Sequence, residues 1–300
     1  MKVIKPVTFV STMLTSTTAV ESTADYAAGT TYALGNRVIY NTKKYESLQN
    51  TNVGHTPDTN PTWWLYVGSS NKYALFDGQA SSPTTGTSSI VTTLTSGVAF
   101  DSLAVINSFC VSVRLVITDS LAGNAVVYDK TIGLSGASIT SWYDYFYVSA
   151  LDVRTQIIFD SLPQSTGYVH TLTFTSATGN SVSIGEVLFG TMSDLGATQY
   201  GVTAGIIDYS VKTTDAYGIT TFTQRNYSKR IEAKVQLNNT QLNRVQTLMY
   251  SLRAKPCVWI AADDPLLQEP LIVYGFYKDF STDIAYPSYS MCSISIEGLI

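Results

Sequence analysis

Side chains able to do covalent or acid–base chemistry are few here and lie far apart. His55 and His170 are the only histidines and Cys110, Cys257 and Cys292 the only cysteines among 300 residues. Nucleophilic catalysis needs a histidine held by a carboxylate beside a serine or cysteine. His170 sits in the strand-like run YVHTLTF, between Val169 and Thr171, and reads as a sheet residue with a satisfied hydrogen bond. No GxSxG marks a strand-to-helix turn, and neither a glycine-rich phosphate cradle nor an HExxH motif occurs. Glycoside hydrolysis would need two carboxylates. The adjacent pair Asp263-Asp264 precedes Pro265 and reads as a solvated turn. Trp142, Tyr143, Asp144 and Tyr145 could grip a sugar or alternate along a strand. Asp77 and Glu186 could meet at the ends of a sandwich and bind Ca2+, although no carbonyl-rich loop accompanies them. With no CxxC and only two histidines, no metal cluster is expected. The expectation is a protein without catalytic residues, cofactor or metal.

Binding chemistry concentrates between Tyr26 and Gly68. Tyr26, Tyr32, Gly35, the Val38-Ile39-Tyr40 strand, Tyr45, Pro57 and Trp64 recur at the spacing of a very small β-module. The stretch resembles the chitin-binding modules of carbohydrate-binding families 5 and 12. That resemblance implies a framework built by Tyr26, Tyr32, Tyr40 and Trp64, and sugars held by pyranose faces stacked on exposed rings. In the family, the loop before the proline carries such a ring. Here that loop reads Asn52-Val53-Gly54-His55-Thr56-Pro57, and the smaller, more hydrated imidazole of His55 stands in its place. Trp63 is the alternative platform: neighbours on a strand face opposite sides, so a buried Trp64 would turn Trp63 outward, where it would meet glycan, meet protein or lie merely half-buried. Tyr45 reads as structural, with sugar contact as a second role. Trp63, His55 and Tyr45 are thus the carbohydrate-binding candidates. Modules of this type sit on secreted chitinases and recur on tail proteins of bacterial viruses.

The elements that must carry these residues divide the chain in four. Residues 1–24 form a Thr/Ser-rich extended arm, suited to pairing with a neighbouring subunit. Residues 25–70 form the aromatic β-module. Residues 71–195 hold about eight short apolar runs separated by turn signals such as Ala122-Gly123-Asn124 and Gly179-Asn180, the pattern of a β-sandwich or jelly roll. Val111, Val113, Leu115 and Ile117 alternate with Ser112, Arg114, Val116 and Thr118, the period of a half-buried strand. The order of runs, ending in SIGEVLFG, resembles galactose-binding-like jelly rolls. In residues 196–300, Leu242, Val245, Leu248, Met249 and Leu252 fall on one helical face, with Asn239 or Thr240 as N-cap and Pro256 after the end. Strands flank this helix, so the last piece reads as an α+β docking domain. The class is mostly β throughout.

Charged residues make up 13% of the chain and the net charge is −4, which gives no electrostatic footprint for nucleic acid or an anionic membrane. No run approaches the about 20 apolar residues of a membrane span, so no membrane insertion is expected. Cys110 and Cys292 lie in apolar, strand-like runs and read as buried thiols, with a Cys257–Cys292 bridge as the alternative. MKVIKPVTFVSTML mimics a signal peptide, but Pro6 interrupts it and its apolar segment is diluted with Thr and Ser. The C-terminal pattern of YSKR, helix, RAKPCVWI and IEGL resembles C-terminal domains of phage tail components. The combined expectation is a tailed-bacteriophage virion protein: a tail, collar, baseplate or fibre-anchoring subunit assembled in the host cytoplasm. Its partners would be other tail proteins and copies of itself, with host-glycan recognition by the small module. The alternatives are a secreted chitin-binding protein or accessory module of a glycoside hydrolase, and a receptor-binding tip that degrades polysaccharide.

Overall fold

The computed structural model describes all residues except 135–140, 148–153, 263–268, 285 and 300. The chain opens with two short strands, β1 (Lys2–Pro6) and β2 (Leu14–Thr17). The small module follows as a three-stranded antiparallel sheet of β3 (Arg37–Tyr40), β4 (Lys43–Ser47) and β5 (Trp64–Ser69), with β4 in the middle.

Eight strands then build the sandwich: β6 (Thr84–Thr87), β7 (Ser89–Thr95), β8 (Ser102–Phe109), β9 (Ser112–Asp119), β10 (Ala125–Gly133), β11 (Ile157–Phe159), β12 (Tyr168–Thr175) and β13 (Ser181–Asp194). One sheet runs β10-β9-β12-β7-β2. The facing one contains β11-β8-β13, with β6 also on β13. Leu115, Ile117, Leu172 and Phe174 of the first meet Leu103, Val105, Val187 and Phe189 of the second in one buried cluster. The period-two pattern holds from Val113 onward: Val113, Leu115 and Ile117 are fully buried, while Val111 precedes β9 and is exposed. Arg114 points out and pairs with Asp129 on β10 (Nε to Oδ1, 2.8 Å).

Between β10 and β11 the run WYDYFY forms a six-residue helix, α1 (Trp142–Tyr147), where the sequence suggested a strand. Trp142 and Phe146, one helical turn apart, stack with centroids 6.2 Å apart. The side chains of Asp144 and Tyr145, and the whole Asp263-Asp264 pair, lie outside the described residues.

The C-terminal part comprises β14 (Ala197–Thr198), β15 (Thr203–Asp208), β16 (Val211–Thr214), β17 (Thr220–Thr223), β18 (Tyr227–Asn238), α2 (Leu242–Ser251), β19 (Cys257–Ile260), β20 (Ile272–Asp283) and β21 (Tyr289–Gly298). Val245, Met249 and Leu252 of the helical face are buried against Trp259, Ile231, Val235 and Ile294. The helix enters through a 3-10 turn over Asn239–Gln241, and Asn238 Oδ1 accepts from Thr240 N at 3.0 Å. The cap therefore lies one residue before the expected Asn239 and two before Thr240, because the extra turn moves the first free N–H groups upstream.

The N-terminal arm is extended, but its pairing is intramolecular. β1 lies between β13 and β19 and joins the sandwich sheet to the C-terminal sheet in the order β11-β8-β13-β1-β19-β20-β21-β18-β14. Val3 and Ile4 are both fully buried, one in the cluster under the helix and the other in the cluster on the opposite face. Two adjacent apolar residues can serve two cores because successive strand side chains point to opposite faces. The arm is thus an internal splice rather than a free tether. All three cysteines are buried free thiols, which removes the Cys257–Cys292 bridge. Burial pushes the Cys110 thiol up to about 11 and the Cys257 thiol to about 12, so both stay protonated and unreactive at neutral pH.

Candidate functional site: the aromatic module

The module is too small to enclose an aliphatic core, and rings fill it instead. Trp64 opens β5, is 2% exposed, and donates from Nε1 to His55 O at 2.7 Å. Tyr32 and Tyr26 pack against the indole with centroids 5.2 and 5.9 Å away, and Tyr40 meets Tyr26 edge-on at 5.8 Å. Tyr45, 7% exposed, also faces this core, with Val38. The Tyr45 ring is therefore committed to packing, with only Tyr66 of β5 against its edge at 5.9 Å.

Trp63 and His55 come together. Their rings stack nearly parallel, 3.9 Å apart with planes 10° from coplanar, and both residues are half-buried. Trp63 does not obey the pleat argument, because it sits in the turn before β5 and donates its N–H to Asn60 O at 3.0 Å. Turn geometry lays it flat on the imidazole instead of pointing it away from Trp64. Each ring covers one face of the other, and the stack is pinned at two points. His55 Nδ1 lies 3.1 Å from Asn52 Oδ1, and its carbonyl accepts from Trp64.

Asn52 is the positioning residue the sequence did not flag. It is fully buried, exchanges both backbone hydrogen bonds with Tyr32, and donates from Nδ2 to Ser47 Oγ at 2.9 Å. A buried amide with every group used fixes the loop more firmly than apolar contact alone. Chemically, the site offers flat apolar area with an imidazole nitrogen already engaged. That suits stacking, not proton transfer.

The other candidates resolve differently. His170 is 2% exposed, stacks on Phe100 at 4.4 Å, and its Nδ1 has no hydrogen-bond partner among the described residues. The expected satisfied bond is absent because the cross-strand neighbours, Leu94 and Ile117, are apolar. Burial lowers its pKa to about 4, so it stays neutral. Asp77 and Glu186 do approach each other. Glu186, 3% exposed, accepts from Gly78 N at 2.8 Å, and burial with the neighbouring Asp77 charge pushes its carboxyl up to about 9. Without a cation such a group is protonated at neutral pH. No group of three or more His, Cys, Asp or Glu able to hold a metal occurs among the described residues.

One exposed element was not anticipated. β16 and β17 pair only with each other. No residue of either strand is buried, and Tyr217, Ile219 and Phe222 are 92%, 65% and 73% exposed. Beside this ribbon, β15 pairs with β18 on one edge alone, and Ile206 on it is 64% exposed. No family model matches the chain, and no curated protein matches it.

Proposed function

We propose that this chain is a structural subunit of a tailed-bacteriophage virion, in the tail, collar, baseplate or a fibre anchor, and that it works by binding copies of itself and neighbouring tail proteins. The observation that carries this reading is the β16–β17 ribbon. An isolated two-stranded hairpin is marginally stable in water. This one holds large side chains on a ribbon with no core of its own, which only a partner surface would cover. The adjacent β15, TAGIID, has no lysine, proline or bulge to blunt its edge, and such an edge accepts a strand from another chain. A head-to-tail contact of this kind closes into rings or grows along an axis, as tail components require.

The deciding experiment is mass photometry of the purified chain, alone and with its neighbouring gene products, for wild type and for Ile219→Asp with Phe222→Asp. A defined ring or co-complex lost in the double variant supports the assignment. A monomer under every condition sinks it.

The second reading, a carbohydrate-binding module at work, rests on the Trp63–His55 stack. Retention of a monomeric chain on chitin or peptidoglycan, abolished by Trp63→Ala, would move it to first place. The same result on a secreted, processed chain would favour the chitinase-accessory alternative.

A further inference from the structure

A second concave site lies away from the module, where the sandwich meets the C-terminal sheet. It is a cleft of about 440 Å³, within the range of about 300–1,000 Å³ of small-molecule sites. Its walls come from the end of β8, the two residues before β11, the start of β18, β20 and the end of β21. Two aromatic side chains line it while remaining open to solvent: Phe109, 54% exposed, and Tyr227, 56% exposed.

Its charges are already closed within the protein. Lys229 Nζ donates to the Gln156 side-chain oxygen at 3.0 Å, and the Gln156 amide donates to Ile272 O at 3.1 Å. Glu269 faces Lys229 at 3.8 Å and accepts from Thr155 N at 3.2 Å. Behind the opposite wall, Tyr274 is flanked by Glu186 and Asp77. An anion entering the cleft would have to compete with Glu269 for the one ammonium, and a cation would meet that ammonium directly. The groups left to bind a ligand are uncharged. The Asn226 side-chain amide has no hydrogen-bond partner among the described residues, and Asn107 spends only its nitrogen, on Ala80 O at 2.8 Å. Amides bond vicinal hydroxyls in pairs, and exposed rings cover the C–H face of a pyranose.

From this we infer that the cleft is a binding site for a neutral saccharide, stacked on Tyr227 and hydrogen-bonded by Asn107 and Asn226. The site is separate from the module and borders the assembly surface, since Tyr227 pairs with Asp208 of β15.

Ligand-observed saturation-transfer NMR and calorimetry on the full chain test it, with glucose, galactose, N-acetylglucosamine and glucuronate at millimolar concentration. The expected result is binding of a neutral sugar, insensitive to salt, weakened about tenfold by Tyr227→Ala and unchanged by Trp63→Ala. Because Tyr227 is exposed, its truncation leaves the fold intact, and Asn226→Ala gives a second exposed probe. Binding abolished by Trp63→Ala but not by Tyr227→Ala would place the sugar in the module and overturn the inference. So would a preference for glucuronate, or no saturation transfer from any of the four.

Discussion

The hydroxyl of Tyr274 donates to the carbonyl of Gly78 at 3.0 Å, joining β20 to the loop that opens the sandwich, 196 positions away. The same loop lends Gly78 N to the buried carboxyl of Glu186 on β13. A short polar relay of Tyr274, Gly78 and Glu186 therefore crosses the seam that β1 closes with backbone pairing. The two halves are held by a shared sheet and by this relay.

Tyr274→Phe keeps the ring and removes the bond. A net loss of about 1 kcal/mol is expected, since the Gly78 carbonyl is left without its donor. Chemical denaturation should show a lower midpoint with an unchanged slope, because the surface exposed on unfolding is the same. No change in midpoint would mean that water replaces the hydroxyl and that the relay adds nothing to the seam.

Gly190 sits where β13 passes β1, and a Cβ there would collide with Lys5 O. The obstacle is backbone, which cannot swing aside as a side chain tip can. Gly190→Ala should push β1 off the sheet and cost more than the about 1 kcal/mol of an average substitution. Amide hydrogen exchange offers the direct check: residues 2–6 should lose protection before β8 does. Uniform protection in the variant would show that the splice is dispensable.

The Trp63–His55 stack can be weighed separately from the core. Trp64→Ala removes a buried ring and should cost about 3–5 kcal/mol. Trp63→Ala and His55→Ala should each cost less and be non-additive, with a coupling of about 0.5–1.5 kcal/mol for stacked rings. Additive losses in the double-variant cycle would mean the two rings are neighbours without energetic contact.

Periodicity revealed much of this molecule and turn geometry concealed the rest. Strands such as β9, and the helical face of Val245, Met249 and Leu252, were legible because one buried face imposes its period on the sequence. The module framework was legible because a ring-built core leaves tyrosines and tryptophans at fixed spacing. Of the three readings open for Trp63 the half-buried one holds, because it lies one residue before the strand begins and pleat alternation does not reach it. Asn52 was invisible because a buried amide has the same letter as a loop amide, and only its partners identify it. The run at Trp142–Tyr147 carries aromatic, strand-favouring residues that local context winds into a helix, a common override of propensity. β1 looked like a free arm because a strand's pairing partners, here β13 and β19, lie far away in sequence.

Two buried ionisable groups set opposite pH limits on the fold. His170 has its pKa lowered from 6.5 to about 4 by burial, so the native state resists protonation that the unfolded chain accepts. Its contribution is fully present above 6.5 and is lost as pH falls toward 4, a difference of roughly 3 kcal/mol. Glu186 has its carboxyl raised from 4.5 to about 9, chiefly by burial and then by the charge of Asp77, so the native state holds a proton that the unfolded chain releases. Its contribution is fully present below 4.5 and is lost as pH rises toward 9. Between 4.5 and 6.5 the two slopes oppose each other, one proton each. Stability should therefore be nearly level there from these two groups, fall on the acid side through His170, and fall from neutral to pH 9 through Glu186. Glu186→Gln keeps the shape and cannot ionise, so its thermal midpoint should not decline from pH 6.5 to 9. His170→Phe should abolish the loss below 4.5 and tilt the level stretch, so that stability rises as pH falls from 6.5 to 4.5 through Glu186 alone, because the new ring cannot be protonated. If each variant instead tracks the wild-type curve across its own window, the buried groups are hydrated in solution and the interior around each is more open to water than its burial implies.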